Sequence, residues 1–203
     1  QLIPTLDNLY KYCSNPERLT VCVHLQDTEE AHQELKEKGY ENIKIIFTKK
    51  ENAQGVVWAR NRIMEQHTNE PYVLSIDSHT RFKKNWDLIL INQYNSIERP
   101  KVILTTYPNS FEVPDIKERY HNLPYNAPIY IKNFLHPEDT KSNKCRAVNK
   151  PSLKDYEVVE NGWVAAGFYF TRAEWVREVK LPENIRFNGE EDFLTFLSFL
   201  KGW

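Results

Sequence analysis

Apolar residues fall at helical spacing, then at strand spacing, in alternation through the first half of the chain. Residues 5–13 (TLDNLYKYC) carry apolar side chains three and four apart behind Thr5, a residue suited to cap a helix, and Pro16 closes the segment. Residues 19–26 (LTVCVHLQ) are β-branched and apolar, which predicts a strand. A charged stretch at 28–38 ends in Gly39 and reads as a surface helix, and residues 43–48 (IKIIFT) supply a second strand. The rhythm continues with a helix at 55–67, a strand at 72–77, a helix at 85–97 and a strand at 101–107. Such alternation predicts an α/β fold with a mainly parallel sheet flanked by helices. In sheets of that kind ligands bind beyond the carboxyl ends of the strands.

The pattern changes after Pro108. Residues 110–155 are rich in prolines, aromatics and charges with little sustained period, as in NLPYNAP at 122–128 and PEDTKSNK at 137–144. A stretch of this length inside a compact domain is usually functional, and we read it as an acceptor-side insertion within one domain spanning residues 1–203. Order returns at 157–171 (EVVENGWVAAGFYFT), strand material broken by Gly162 and Gly167. Residues 172–179 predict a short helix, and 189–203 (GEEDFLTFLSFLKGW) open with acids and continue as a strongly apolar helix.

Charge and length narrow the field. A chain of 203 residues fits one domain with a substantial core, and a net charge of -1 leaves no electrostatic footprint for nucleic acid. Cys13, Cys22 and Cys145 are an odd set without zinc-ligand spacing, so a cytoplasmic setting is expected rather than a disulfide framework. No apolar stretch approaches the roughly 20 residues that span a bilayer.

The candidate chemistry gathers at residues 72–82 (YVLSIDSHTRF), where an apolar strand delivers Asp77 and His79 as it turns polar. Side chains two apart on an extended segment share a side. A carboxylate and an imidazole there make a half-site for a divalent cation such as manganese, leaving other positions to water or phosphate oxygens. A plain polar turn is the competing reading.

Several blocks occurring in order extend that observation. GVVWAR (55–60), YVLSIDSHTRF (72–82), NWD (85–87), TTYP (105–108), VAAGFYF (164–170) and GEE (189–191) together resemble the polypeptide N-acetylglucosaminyltransferase family, which includes enzymes that modify hydroxyproline. A more distant similarity is to the mucin-type polypeptide N-acetylgalactosaminyltransferases, which share the Asp-Ser-His element. The resemblance covers nearly the whole chain. It implies a retaining, metal-dependent glycosyltransferase of the GT-A fold, with manganese as cation, a UDP-sugar such as UDP-N-acetylglucosamine as donor, and a protein or glycan hydroxyl as acceptor.

Carried onto this sequence, the resemblance implies that Asp77 and His79 are the metal ligands and that Arg60 helps hold the donor nucleotide. An arginine fork suits diphosphate or ribose oxygens, although a surface arginine on an amphipathic helix would read the same. Glu190 and Glu191 match the Gly-Glu-Glu beneath donor sugar and acceptor, with Glu190 expected to contact the sugar or the acceptor hydroxyl. Acids in a first helical turn also favour the helix dipole, so capping competes with chemistry for this pair. Gly167 would let backbone approach the donor, and Trp163 is either a stacking platform or a core aromatic. Asp87 is expected to cap its helix or to orient His79.

The chain also departs from the family pattern. The resemblance implies a strand before the opening helix and a later segment carrying another ligand histidine, so this chain is expected to be a trimmed domain lacking both. His121 and His136 lie in the insertion and do not match that ligand position. Two further classes stay open: an inactive homologue that binds carbohydrate or nucleotide, and a metal-dependent hydrolase using Asp77 and His79.

Overall fold

The computed structural model describes residues 1–106, 108, 158, 160, 162–185 and 189–203, and the backbone of two strands at Ile129–Phe134 and Lys144–Asn149. Helix α1 (Leu2–Tyr12) leads to β1 (Val21–Asp27), α2 (Glu29–Glu37), β2 (Ile43–Lys49), α3 (Val56–Met64), β3 (Tyr72–Ile76), α4 (Trp86–Asn95) and β4 (Ile103–Thr105). Then follow β5 (Ile129–Phe134), β6 (Lys144–Asn149), β7 (Phe168–Arg172), α5 (Glu174–Glu178) and α6 (Glu190–Leu200).

The expected alternation is present as far as β4, with ends displaced by a few residues. Strands β1 and β2 pair in parallel from Val21 opposite Ile43 to Asp27 opposite Lys49. Helix α2 starts where the Thr28 hydroxyl accepts from Ala31 N–H at 3.3 Å, and it buries Leu35 against Leu6 and Val23. Thr5 does not cap α1 as its sequence position suggests. It lies inside the helix, 1 % exposed, where its hydroxyl donates to the Ser78 carbonyl at 2.7 Å and accepts from Arg81 at 3.1 Å. That residue therefore fastens α1 to the turn after β3.

The expectation of a mainly parallel sheet is corrected by β7. This strand lies between β3 and β4 and runs antiparallel to both, in the order β3-β7-β4. Strands β3 and β4 thus point the same way, as an α-helical crossover requires, but one position is left between them. A later strand fills it. Phe170 and Tyr169 are buried there at 5 % and 0 % exposure, the apolar run expected of a strand covered on both faces. Among the described residues the architecture is mixed α/β: one parallel pair, one antiparallel three-stranded sheet, and an antiparallel β5–β6 pair. The last pair lies within the 110–155 stretch expected to be irregular, the rest of which falls outside the described residues.

The largest core cluster joins β7 to three helices. Val57 of α3, Tyr169 of β7, Trp175 of α5 and Leu194 of α6 meet there with Val164, Ala166, Val179 and Leu181. Trp175 donates its indole N–H to the Ser198 hydroxyl at 2.9 Å, so α5 and α6 are tied by a satisfied buried polar pair. A second cluster, Leu9, Phe82 and Trp86, packs α1 under the loop that follows β3. Among the described residues no helix is long and apolar enough to cross a membrane.

Candidate active site

Strand β3 ends at Ile76, one residue before Asp77, so Asp77 and His79 do not share the side of an extended strand. A turn brings them together. The Thr80 hydroxyl donates to the Asp77 carbonyl at 2.9 Å, closing residues 77–80 and placing His79 Nε2 3.8 Å from Asp77 Oδ2. Their side chains are 65 % and 39 % exposed, so both donor atoms can be reached from solvent.

The segment before β7 forms the other wall. Asp77 N–H donates to the Gly167 carbonyl at 3.1 Å, extending the β3–β7 pairing by one bond. Any side chain at Gly167 would place Cβ 2.7 Å from Asp77 Oδ2. The Thr105 hydroxyl, at the end of β4, accepts from Ala165 N–H at 2.9 Å and donates to the Phe168 carbonyl at 2.9 Å. From α6, the Thr195 hydroxyl accepts from Val164 N–H at 2.9 Å and Glu191 Oε1 accepts from Ala166 N–H at 3.0 Å. Strand ends and a helix start thus hold residues 164–167 from both sides.

Arg60, on α3, is 8 % exposed and sits at the centre of these elements. Its Nη2 donates to Asp77 Oδ1 at 2.9 Å and its Nη1 donates to the Ala166 carbonyl. Its Nε lies 3.0 Å from Glu190 Oε1, an ion-pair contact whose angle is not that of a hydrogen bond, so that buried oxygen keeps an unfilled hydrogen-bonding position. Arg60, expected to help hold the donor nucleotide, turns all three guanidinium nitrogens to protein oxygens. Glu190 is 6 % exposed beside it, whereas Glu191 is half-buried. Burial raises the Glu190 carboxyl above its usual range, Arg60 opposes that shift, and repulsion from Asp77 and Glu191 adds to it. Gly189 holds the N-cap of α6, so neither acid occupies the capping position itself.

Trp163 is half-buried next to the buried Val164, Ala165 and Ala166. Asp87 does not reach toward His79: its oxygens accept from Ser14 N–H at 2.9 Å and Asn15 N–H at 3.3 Å, tying α4 to the exit of α1. Burial opposes its charge, yet hydrogen bonds from Ser14, Cys13 and Leu88 leave its carboxyl below the ordinary value. Among the described residues no group of three or more His, Cys, Asp or Glu side chains is placed to hold a metal. Asp77 and His79 bring one carboxylate oxygen and one imidazole nitrogen to within 3.8 Å of each other.

Residues 21–203 match the family described as glycosyltransferase (GlcNAc). The chain belongs to that family. No curated protein matches it. Membership makes the chain a transferase that moves a sugar from a nucleotide-sugar donor to an acceptor. The matched span starts at β1 and takes in every residue of the site, while α1 lies before it. In this glycosyltransferase α1 nevertheless supports the site, through Thr5 and the Ser78 carbonyl. Thr80, Thr105 and Thr195 were not singled out by sequence reasoning. Thr105 sits in the TTYP block, but the block carries no sign of which main-chain groups its hydroxyl would meet.

Proposed function

We propose that the chain is a GT-A-type transferase that moves N-acetylglucosamine from UDP-N-acetylglucosamine to a hydroxyl on a protein or glycan, with retention and with manganese as its cation. Asp77 and His79 would hold the cation. Bound there, it would neutralise charge on the departing diphosphate. The observation that carries the reading is the exposed pair of donor atoms, 3.8 Å apart, just past the carboxyl end of β3.

The remaining side chains divide the work by exposure. Gly167 keeps backbone rather than side chain against Asp77, leaving room for the donor, and Trp163 is near enough in sequence to flank the sugar. Glu191 has the more open of the two carboxylates and is held toward residue 166 by its bond to the Ala166 N–H, which suits it to the acceptor hydroxyl. Glu190, pressed against Arg60, is the less accessible member.

Thermal unfolding with manganese and a panel of nucleotide sugars tests the proposal. UDP-N-acetylglucosamine at 100 times its Kd should stabilise the fold by about 2.7 kcal/mol, and only when manganese is present. Absence of stabilisation by every nucleotide sugar would leave an inactive homologue. Release of phosphate from simple phosphoesters would instead make the site a hydrolase.

A further inference from the structure

A carboxylate at a strand end turns readily about its last torsion, which is broad and two-fold, so a ligand such as Asp77 needs something to aim it. Arg60 Nη2 takes Oδ1 at 2.9 Å, and the Gly167 backbone packs so close on one side of Oδ2 that a Cβ there would lie 2.7 Å from it. The oxygen left facing His79 Nε2 is Oδ2. Arg60 is fixed in turn, by the Ala166 carbonyl and by Glu190 at 3.0 Å. Glu190 has a second effect: without its charge, the guanidinium beside Asp77 would repel a dication more strongly.

We propose that Arg60 and Glu190 are positioning residues, a buried relay that sets the direction and the charge of the Asp77 carboxylate for a divalent cation. This rests on the reading that Asp77 and His79 bind the cation, and it moves Glu190 from the sugar to the support of the metal site. Neither residue touches the cation. A lysine at position 60 could not replace the arginine, because one ammonium cannot span Asp77, Ala166 and Glu190 with planar, divergent donors.

Titration of the protein with manganese alone, with free manganese read by electron paramagnetic resonance, tests the relay without sugar or turnover. Supporting groups of this type change metal affinity about 10- to 100-fold, so Arg60→Lys and Glu190→Gln should each weaken manganese binding by that factor. In the same assay Asp77→Asn should abolish it. In the Arg60→Lys background the Glu190→Gln effect should shrink without vanishing, because the shared donor geometry is lost while the lysine keeps a positive charge for Glu190 to offset. Manganese binding at parental strength in both positioning variants, with Asp77→Asn inactive, overturns the relay while sparing the cation site. Binding unaffected by Asp77→Asn removes the cation site and the relay together. If Arg60→Lys does not fold, the isosteric Glu190→Gln decides alone.

Discussion

Gly167→Ala is the smallest perturbation that reaches the ligand carboxylate. The added methyl carbon would lie 2.7 Å from Asp77 Oδ2 and 3.3 Å from its Cγ. It falls about 0.7 Å short of ordinary contact with Oδ2, and overpacking of this type costs about 1–3 kcal/mol. Relief by rotating the carboxylate is blocked, because Oδ1 is held by Arg60 at 2.9 Å. Relief by shifting the backbone strains the bond from Asp77 N–H to the Gly167 carbonyl. The substitution should therefore lower the urea midpoint without changing the slope, and should weaken manganese binding as Oδ2 is pushed from its direction. A double-mutant cycle isolates the cause. In an Asp77→Ala background the methyl group has no oxygen to meet, so its cost should shrink, giving a coupling energy of about 0.5–3 kcal/mol. Costs that add to within about 0.5 kcal/mol would refute the steric argument.

Asp77→Asn and His79→Ala should each eliminate manganese-dependent binding of a nucleotide sugar in calorimetry, with circular dichroism unchanged; normal binding in either variant removes that residue from the site. Thr105→Val leaves Ala165 N–H and the Phe168 carbonyl without their hydroxyl partner, and should cost about 1–3 kcal/mol in chemical denaturation. Burial works against the Glu70 carboxylate, but hydrogen bonds from the Thr68 and Glu70 N–H groups and from the Thr20 and Thr68 hydroxyls outweigh it, bringing it from 4.5 down to about 2. A depressed folded-state value stabilises above pH 4.5 and is lost as pH falls toward 2. Glu70→Gln should accordingly destabilise at pH 7, and its deficit against the parent should close over that window in pH-dependent melts. A deficit constant from pH 7 to pH 2 would exclude the carboxylate charge as its source.

Local pattern carried the elements and the residue types of the site. The apolar runs around Val23, Ile45 and Leu74 predicted strands, and the Asp77–His79 spacing marked the end of one of them as a candidate cation site. Hydrophobic period and donor chemistry are properties of neighbours along the chain, so they can be read from it. Direction and partnership are not. β7 enters between β3 and β4 from roughly 60 residues further on, and nothing in its own pattern states which edge it pairs with or which way it runs. More than 100 residues of sequence separate Arg60 from Ala166 and Glu190, and no local pattern announces the contacts that set its guanidinium among protein oxygens. Thr5 shows the limit in its plainest form: its type suits a cap, but packing puts its hydroxyl on the carbonyl of Ser78, because a buried hydroxyl goes wherever the fold leaves an unpaired main-chain group.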